Sequence, residues 1–325
     1  MNDDEFEEGG PGILVVGVGG GGCNAIRHMM LQGADFSAID SDAKELRRTL
    51  GHRLHIGWDL TGGRGSGADP GVGREAAQAD RDRIADLVRG AGLLIAVAGL
   101  GAGTGGGATP IVCQTAREDG AIPVAVVTLP FAFEGLRRRR RAEDALAEVS
   151  ATAQLTIVLP GSGIWELEGP GGGLAEVFAR GDRAVFRAVR WLVDAASQAD
   201  PAGQQALRQA RGLAMIGWGV AEGPHRVREA VRRAIVCPLL GGMNLSRATS
   251  LFLTFRGAST LGNAEVATTG QMVREATGGR VPVTVGTVID DAMGDAVEAV
   301  LIATGADDTI RLAGRGHPSV VGVSE

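Results

Sequence analysis

Short apolar runs alternate with amphipathic stretches through the first half of the chain. Ile13 to Val16, Phe36 to Ile39, Leu93 to Ala98, Ile122 to Thr128 and Leu155 to Leu159 are too short and too uniformly apolar for surface helices. They have the look of strands buried on both faces. Between them the period changes to that of helices, over Ser41 to Leu50, Arg74 to Arg89, Thr109 to Asp119 and Arg137 to Ala153. Such alternation predicts an α/β protein with a parallel sheet covered on both sides. A long amphipathic helix is predicted over Leu174 to Ala196, with Val177, Phe178, Val185, Val189 and Leu192 on one face. Beyond Pro201 the pattern predicts helices over Gly203 to Arg211 and Val227 to Val236, then strand, helix, strand, strand to Ala306, a second α+β unit. Thr61 to Gly73 and Gly161 to Gly173 are expected to be loops.

Glycine changes this picture. The chain has 325 residues and 52 are glycine, without the three-residue period of collagen. They concentrate where strands give way to helices: GVGGGG at 17–22 and GLGAGTGGG at 99–107. Each glycine costs backbone entropy on folding, so the backbone itself must be needed there. Converging N–H groups at such turns form concave anion sites. Gly19, Gly20, Gly21 and Gly22 supply one nest. Gly101, Ala102, Gly103, Thr104, Gly105, Gly106 and Gly107 supply a second, with a hydroxyl from Thr104, and Gly67 with Ala68 supplies a third. Several nests at one sheet edge suit a triphosphate. A rival reading takes Gly17, Gly19 and Gly22 as GxGxxG and Asp40 as the carboxylate gripping a dinucleotide ribose, which makes the chain an NAD-binding oxidoreductase. It leaves the second glycine loop without a role. No GK[ST] occurs, which excludes a P-loop.

Composition narrows the classes further. A net charge of −6 argues against nucleic acid as a partner. The acidic start, MNDDEFEEGG, is no secretory signal. No apolar run approaches the roughly 18 residues of a membrane helix. Cys23, Cys113 and Cys237 are far apart and, like the five His, form no metal spacing. Buried core thiols in the reducing cytoplasm are expected.

Several segments, in order, resemble one family. GLGAGTGGGATP is similar to the tubulin signature loop. GVGGGGCNAIRHM, GADPGVGREAA, LPFAFEG, GLAMIGWGVAEG, AIVCPLL and VTVGTVIDDAMGDAVEAVLIATG resemble FtsZ, the bacterial cell-division GTPase family. The likeness spans Gly12 to Gly305. It implies a Rossmann-like GTPase domain over 12–173 behind a disordered acidic segment at 1–11. A central helix follows at 174–196, an interfacial loop and helix at 197–211, an α+β domain at 212–305 and a short tail at 306–325. It implies GTP and GDP as ligands, with Mg2+ or K+ as the accompanying cation, and head-to-tail filaments that an ordinary FtsZ could join. Carried over by position, Asn24 contacts guanine, Glu134 and Arg138 hold the ribose, Phe178 lies against the base and Asp182 reads its edge. A carboxylate can accept from guanine N1 and N2, a pattern adenine does not offer.

The chain also departs from the family pattern. Hydrolysis in this family uses an acidic loop, close to NxDxxD, inserted into the neighbouring subunit. Here the stretch is Gln198 to Gly203: Asp200 falls on the first carboxylate, and Gly203 stands where the second is expected. Hydrolysis is therefore expected to be slow or conditional, with a non-hydrolysing structural or regulatory paralogue as the alternative. The family's PND is Pro160-Gly161-Ser162 here. Residues 306–325 show no linker or terminal peptide of the kind that docks FtsZ on membrane anchors, so docking of that kind is not expected. Arg137 to Arg141 open a helix, against its dipole, which calls for an anion nearby: the nucleotide, or Glu143 and Asp144.

Overall fold

A computed structural model describes residues 12–306 except 28, 30, 50, 168–172, 198–204 and 206. The apolar runs are strands β1 (Ile13–Val18), β2 (Asp35–Asp40), β4 (Leu93–Gly99), β5 (Ile122–Thr128) and β6 (Leu155–Leu159). Two strands go beyond the predicted set, β3 (His52–His55) and β7 (Gly212–Ala221). The later segments supply β8 (Leu251–Gly257), β9 (Val283–Ile289) and β10 (Val297–Thr304). All ten join one sheet, in the order β3-β2-β1-β4-β5-β6-β7-β10-β8-β9. Among the described strands β10 alone runs against the rest.

Side chains alternate across the sheet, as the pleat requires. Leu14, Val16 and Val18 with Leu94, Ala96 and Ala98 face one way, towards helices Gly103–Glu118 and Pro70–Ala79. Ile13, Val15, Ile95 and Val97 face the other, towards the first helix, Gly19–Ile26, and the central helix, Leu174–Ser197. Both faces are buried, which is why these strands show as unbroken apolar runs.

The helices differ from expectation mostly at their starts. The predicted helix Thr109 to Asp119 begins at Gly103, since its glycines form the first turn. Glycine disfavours helix, so the pattern hides this turn, which is held by packing against Pro70–Ala79. The charged helix predicted from Arg74 starts earlier, at Pro70, and breaks into Pro70–Ala79 and Arg81–Val88. Asp69 caps the first piece by accepting from Gly71 N at 2.8 Å, with Pro70 at the first helical position. Gly161 to Glu166, expected as loop, is a short helix. Phe178 does not belong to the central helix's buried face. The stripe runs through Val177, Gly181, Ala184, Val185, Ala188, Val189 and Leu192, and Phe178 lies 100° round from Val177, 46% exposed.

Polar bonds tie the far end of the central helix to the second half of the sheet. Arg187 pairs with Glu298 at 2.9 Å and lies over the Trp218 ring. Arg190 pairs with Asp290 at 2.9 Å. Trp191 is buried and donates to Thr254 Oγ1 at 2.9 Å. Arg256 bridges Asp194 and Asp290. Burial pushes the Asp194 carboxyl above its ordinary range despite Arg256 beside it.

At the end of β2, Asp40 is only 2% exposed, beneath the first glycine turn. Its Oδ1 accepts from Asp42 N at 3.2 Å, and its Oδ2 is buried with no hydrogen-bond partner among the described residues. Burial raises this carboxyl from 3.8 to about 6. All three cysteines are free and buried, and burial pushes the Cys23 and Cys113 thiols to about 12.

Two outcomes follow for stability. Arg256→Leu strands Asp194 as a buried unpaired carboxylate and should cost about 3 kcal/mol in urea unfolding, part of it recovered by adding Asp194→Asn. Folded Asp40 holds its proton up to a higher pH than the unfolded chain does, so it makes stability fall as pH rises from 3.8 to about 6. Asp40→Asn should remove that slope and stabilise the protein at pH 7 by roughly 3 kcal/mol, checked by urea midpoints at pH 4 and pH 7.

Candidate nucleotide site

The parallel register brings the glycine turns together. Ile39, Val18, Ala98, Val127 and Val158 lie side by side across β2, β1, β4, β5 and β6. The turns after these strands therefore share one edge of the sheet, where ligands of such folds bind. The first helix begins at Gly19 and the helix Gly103–Glu118 at Gly103, one after β1 and one after β4. Neither has a side-chain cap, so their leading N–H groups remain free to hold an anion. Gly19 has φ +69°, and a Cβ there would stand 2.5 Å from Gly105 N. The two turns thus touch through backbone alone. A side chain at Gly19 would part them, and one at Gly105 would run into Gly99 O at 2.6 Å.

The third loop carries the one described non-glycine residue with positive φ, Ala68 at 61°, beside Gly67 at 59°. That left-handed alanine costs roughly 1 kcal/mol. Thr104 is buried, and its Oγ1 lies 2.7 Å from Ser41 Oγ and 3.1 Å from Ser66 Oγ. Its hydroxyl fastens the turn after β2 and the Gly67 loop to the second glycine turn.

Beside these turns opens a cleft of about 530 Å³ between the first helix, the ends of β4 and β5, and the central helix. Gly21, Asn24, Glu134, Arg138, Phe178 and Asp182 all line it. Residues as distant in sequence as Asn24 and Asp182 meet because the first and central helices pack together. Glu134 accepts from Phe131 N at 2.8 Å and pairs with Arg138 at 2.8 Å, so the expected ribose pair is already set. Arg139 pairs with Glu143. Two of the five arginines are thereby answered by carboxylates on or beside their own helix. Phe178 meets Phe131 edge to face, with centroids 5.7 Å apart, and turns its exposed part to the cleft.

The remaining expected residues divide simply. Gly20, Gly22, Gly101, Ala102, Gly106 and Gly107 lie in the two strand-end turns or the helix turns they open. Gln198, Asp200 and Gly203 lie outside the described residues. Asp40, buried under the glycine turn, does not line the cleft, whereas a ribose grip needs an accessible carboxylate. A Cβ on Gly161 would lie 2.6 Å from Pro130 O, on the cleft's own wall. Arg27 and Arg48 also line the cleft, unanticipated from the motifs. The signal for Arg27 was its spacing, three residues after Asn24.

A second cleft, about 590 Å³, lies between the other end of the central helix and β8 and β10. Its Arg187 and Arg256 pair with Glu298 and Asp194, its Arg190 pairs with Asp290, and no glycine turn adjoins it. The cleft at the strand ends is the one with free backbone donors. Among the described residues no group of three or more His, Cys, Asp or Glu could hold a metal ion, and no helix is long and apolar enough to cross a membrane.

Comparison with known proteins agrees with this geometry. Residues 12–167 match the model of the tubulin/FtsZ family GTPase domain, and residues 212–307 that of the FtsZ family C-terminal domain. The cell division protein FtsZ of Pseudomonas putida is 36% identical over 305 residues, 91% of this chain and 76% of that protein. An empty FtsZ dimer from M. jannaschii superposes with a TM-score of 0.84 at 32% identity, covering 92% of this chain and 89% of that one. A GTPγS-bound protofilament of CetZ2 from Haloferax volcanii, 20% identical, shares the fold with a TM-score of 0.76 over 93% of this chain and 99% of that one. With both halves matched in order and the glycine turns meeting at one sheet edge, the chain belongs to the FtsZ family of the tubulin superfamily.

Proposed function

We propose that this protein binds GTP in the strand-end cleft, assembles head to tail into filaments in the cytoplasm, and hydrolyses GTP slowly at the contact between subunits. What supports the reading above all is the convergence of two uncapped glycine turns on a cleft lined by Asn24, Glu134, Arg138, Phe178 and Asp182. The turns take the phosphates through their N–H groups, Thr104 bracing the second of them from beneath. Glu134 and Arg138 take the ribose, Phe178 lies against the base, and Asp182 accepts from guanine N1 and N2.

Asp200 is the catalytic group, delivered to the neighbour's nucleotide. It orients the attacking water, directly or through Mg2+ or K+, for displacement of GDP from the terminal phosphorus. Gly203 leaves that loop one carboxylate short. If the missing group is worth about 3 kcal/mol in the transition state, turnover falls on the order of a hundredfold. An ordinary FtsZ subunit brings a full acidic loop to this protein's nucleotide, while this protein's loop serves its neighbour poorly. In mixed filaments it acts as a modulator of turnover.

Three measurements test this. The purified protein should bind GTP, with Gly105→Val abolishing binding while the fold persists by circular dichroism. Phosphate release should be slow alone, rise with Gly203→Asp, and fall to background with Asp200→Ala. Brisk release that Asp200→Ala leaves untouched would refute the loop assignment. The nucleotide extracted from purified protein should be mainly GDP. Retained GTP would point instead to the non-hydrolysing paralogue.

A further inference from the structure

We infer that Arg27 is a specificity-determining residue of this cleft: it adds a charged donor to the first-helix wall, selecting the acceptor edge of guanine, N7 and O6. The inference rests on the nucleotide reading above and deepens it.

Arg27 follows directly on the first helix and lines the cleft with Asn24, across from Asp182 on the central helix. Its Nη2 donates to Asn24 Oδ1. That bond fixes which way the Asn24 carboxamide turns. The amide oxygen is engaged, and the NH2 is the donor that the side chain offers. Arg27 itself is a donor with no acceptor capacity. Arg27 thus adds donors to this wall and engages one lone pair of the Asn24 amide oxygen.

The charge of Arg27 is also unanswered. Arg138 has Glu134 and Arg48 has Glu45. Among the described residues Arg27 makes no ion pair, and its hydrogen bond to Asn24 stands alone. Its Nε is buried without a hydrogen-bond partner among the described residues. A half-buried guanidinium so poorly satisfied is costly. A ligand that presents acceptors to its outer nitrogens removes part of that cost.

Guanine offers N7 and O6 as adjacent acceptors, the pair an arginine binds best among base edges. Adenine places an N6 amino group where O6 would be, so donor meets donor. Across the cleft Asp182, acceptor-only when ionised, suits the N1–H and N2 groups of the same base. Donors on one wall and an acceptor on the other fit guanine on two edges at once. The central-helix carboxylate alone would leave N7 unread.

The test is equilibrium binding of the full chain by competition with a fluorescent GTP analogue, comparing GTP with 7-deaza-GTP, which lacks the N7 acceptor. The unaltered protein should bind 7-deaza-GTP about tenfold more weakly than GTP. Arg27→Ala should bind both alike, at the weaker affinity, and Arg27→Lys should restore part of the difference. Thermal melts check that each variant folds. Equal binding of GTP and 7-deaza-GTP by the unaltered protein overturns the inference while leaving the nucleotide reading intact, as does a tenfold difference that survives in Arg27→Ala. Failure of the unaltered protein to bind GTP at all overturns both.

Discussion

Backbone contact between two turns governs this structure. β1 and β4 are parallel neighbours, Val18 beside Ala98, so each strand delivers its glycines to the same place. Gly19 then lies so close to Gly105 that no side chain fits between them. Two helices consequently start within one small volume, each with uncapped N–H groups. The burial of both sheet faces and the helix packing that holds Gly103–Glu118 in place keep these two turns in contact, and the hydroxyl cluster around Thr104 ties the turn after β2 and the Gly67 loop to the second of them. The strand-end cleft opens beside that contact.

Much of this was legible in the chain, because β-strands buried on both faces leave a distinctive trace. β5 and β6 fall where the apolar runs predicted, and β1, β2 and β4 within a residue or two. Where the reading failed, a local signal was masked by tertiary demands. Gly103 to Gly107 are poor helix formers that nonetheless make a helical turn, since packing there excludes Cβ atoms. β3 is short and half exposed, with two histidines and an arginine in four residues, so it lacks the apolar run of its neighbours. β7 is interrupted by glycines at 217 and 219, which weaken any strand pattern.

The cleft was legible in a different way. Its residues come from positions as far apart as Gly21 and Asp182, which no spacing rule joins; only the family likeness brought them together. Phe178 illustrates the limit. Periodicity assigned it to the apolar face, whereas it escapes that stripe by one residue and so stands exposed at the cleft, against Phe131. Thr104 shows the converse. A hydroxyl in a glycine loop suggests a ligand contact, yet burial and two neighbouring hydroxyls give it a bracing task. Arg27 belongs to no motif segment's expected ligands and emerged only from its place in the cleft.

The central helix has a mechanical consequence. It is an unbroken rod of 24 residues, roughly 36 Å long at 1.5 Å per residue. Near one end it presents Phe178 and Asp182 to the cleft; near the other, Arg187, Arg190 and Asp194 are bolted to β10, to Asp290 after β9, and to β8. A rod anchored by charge at its far end cannot tilt at its near end without straining those anchors. Whatever occupies the cleft is therefore weighed, through leverage, by the opposite half of the molecule.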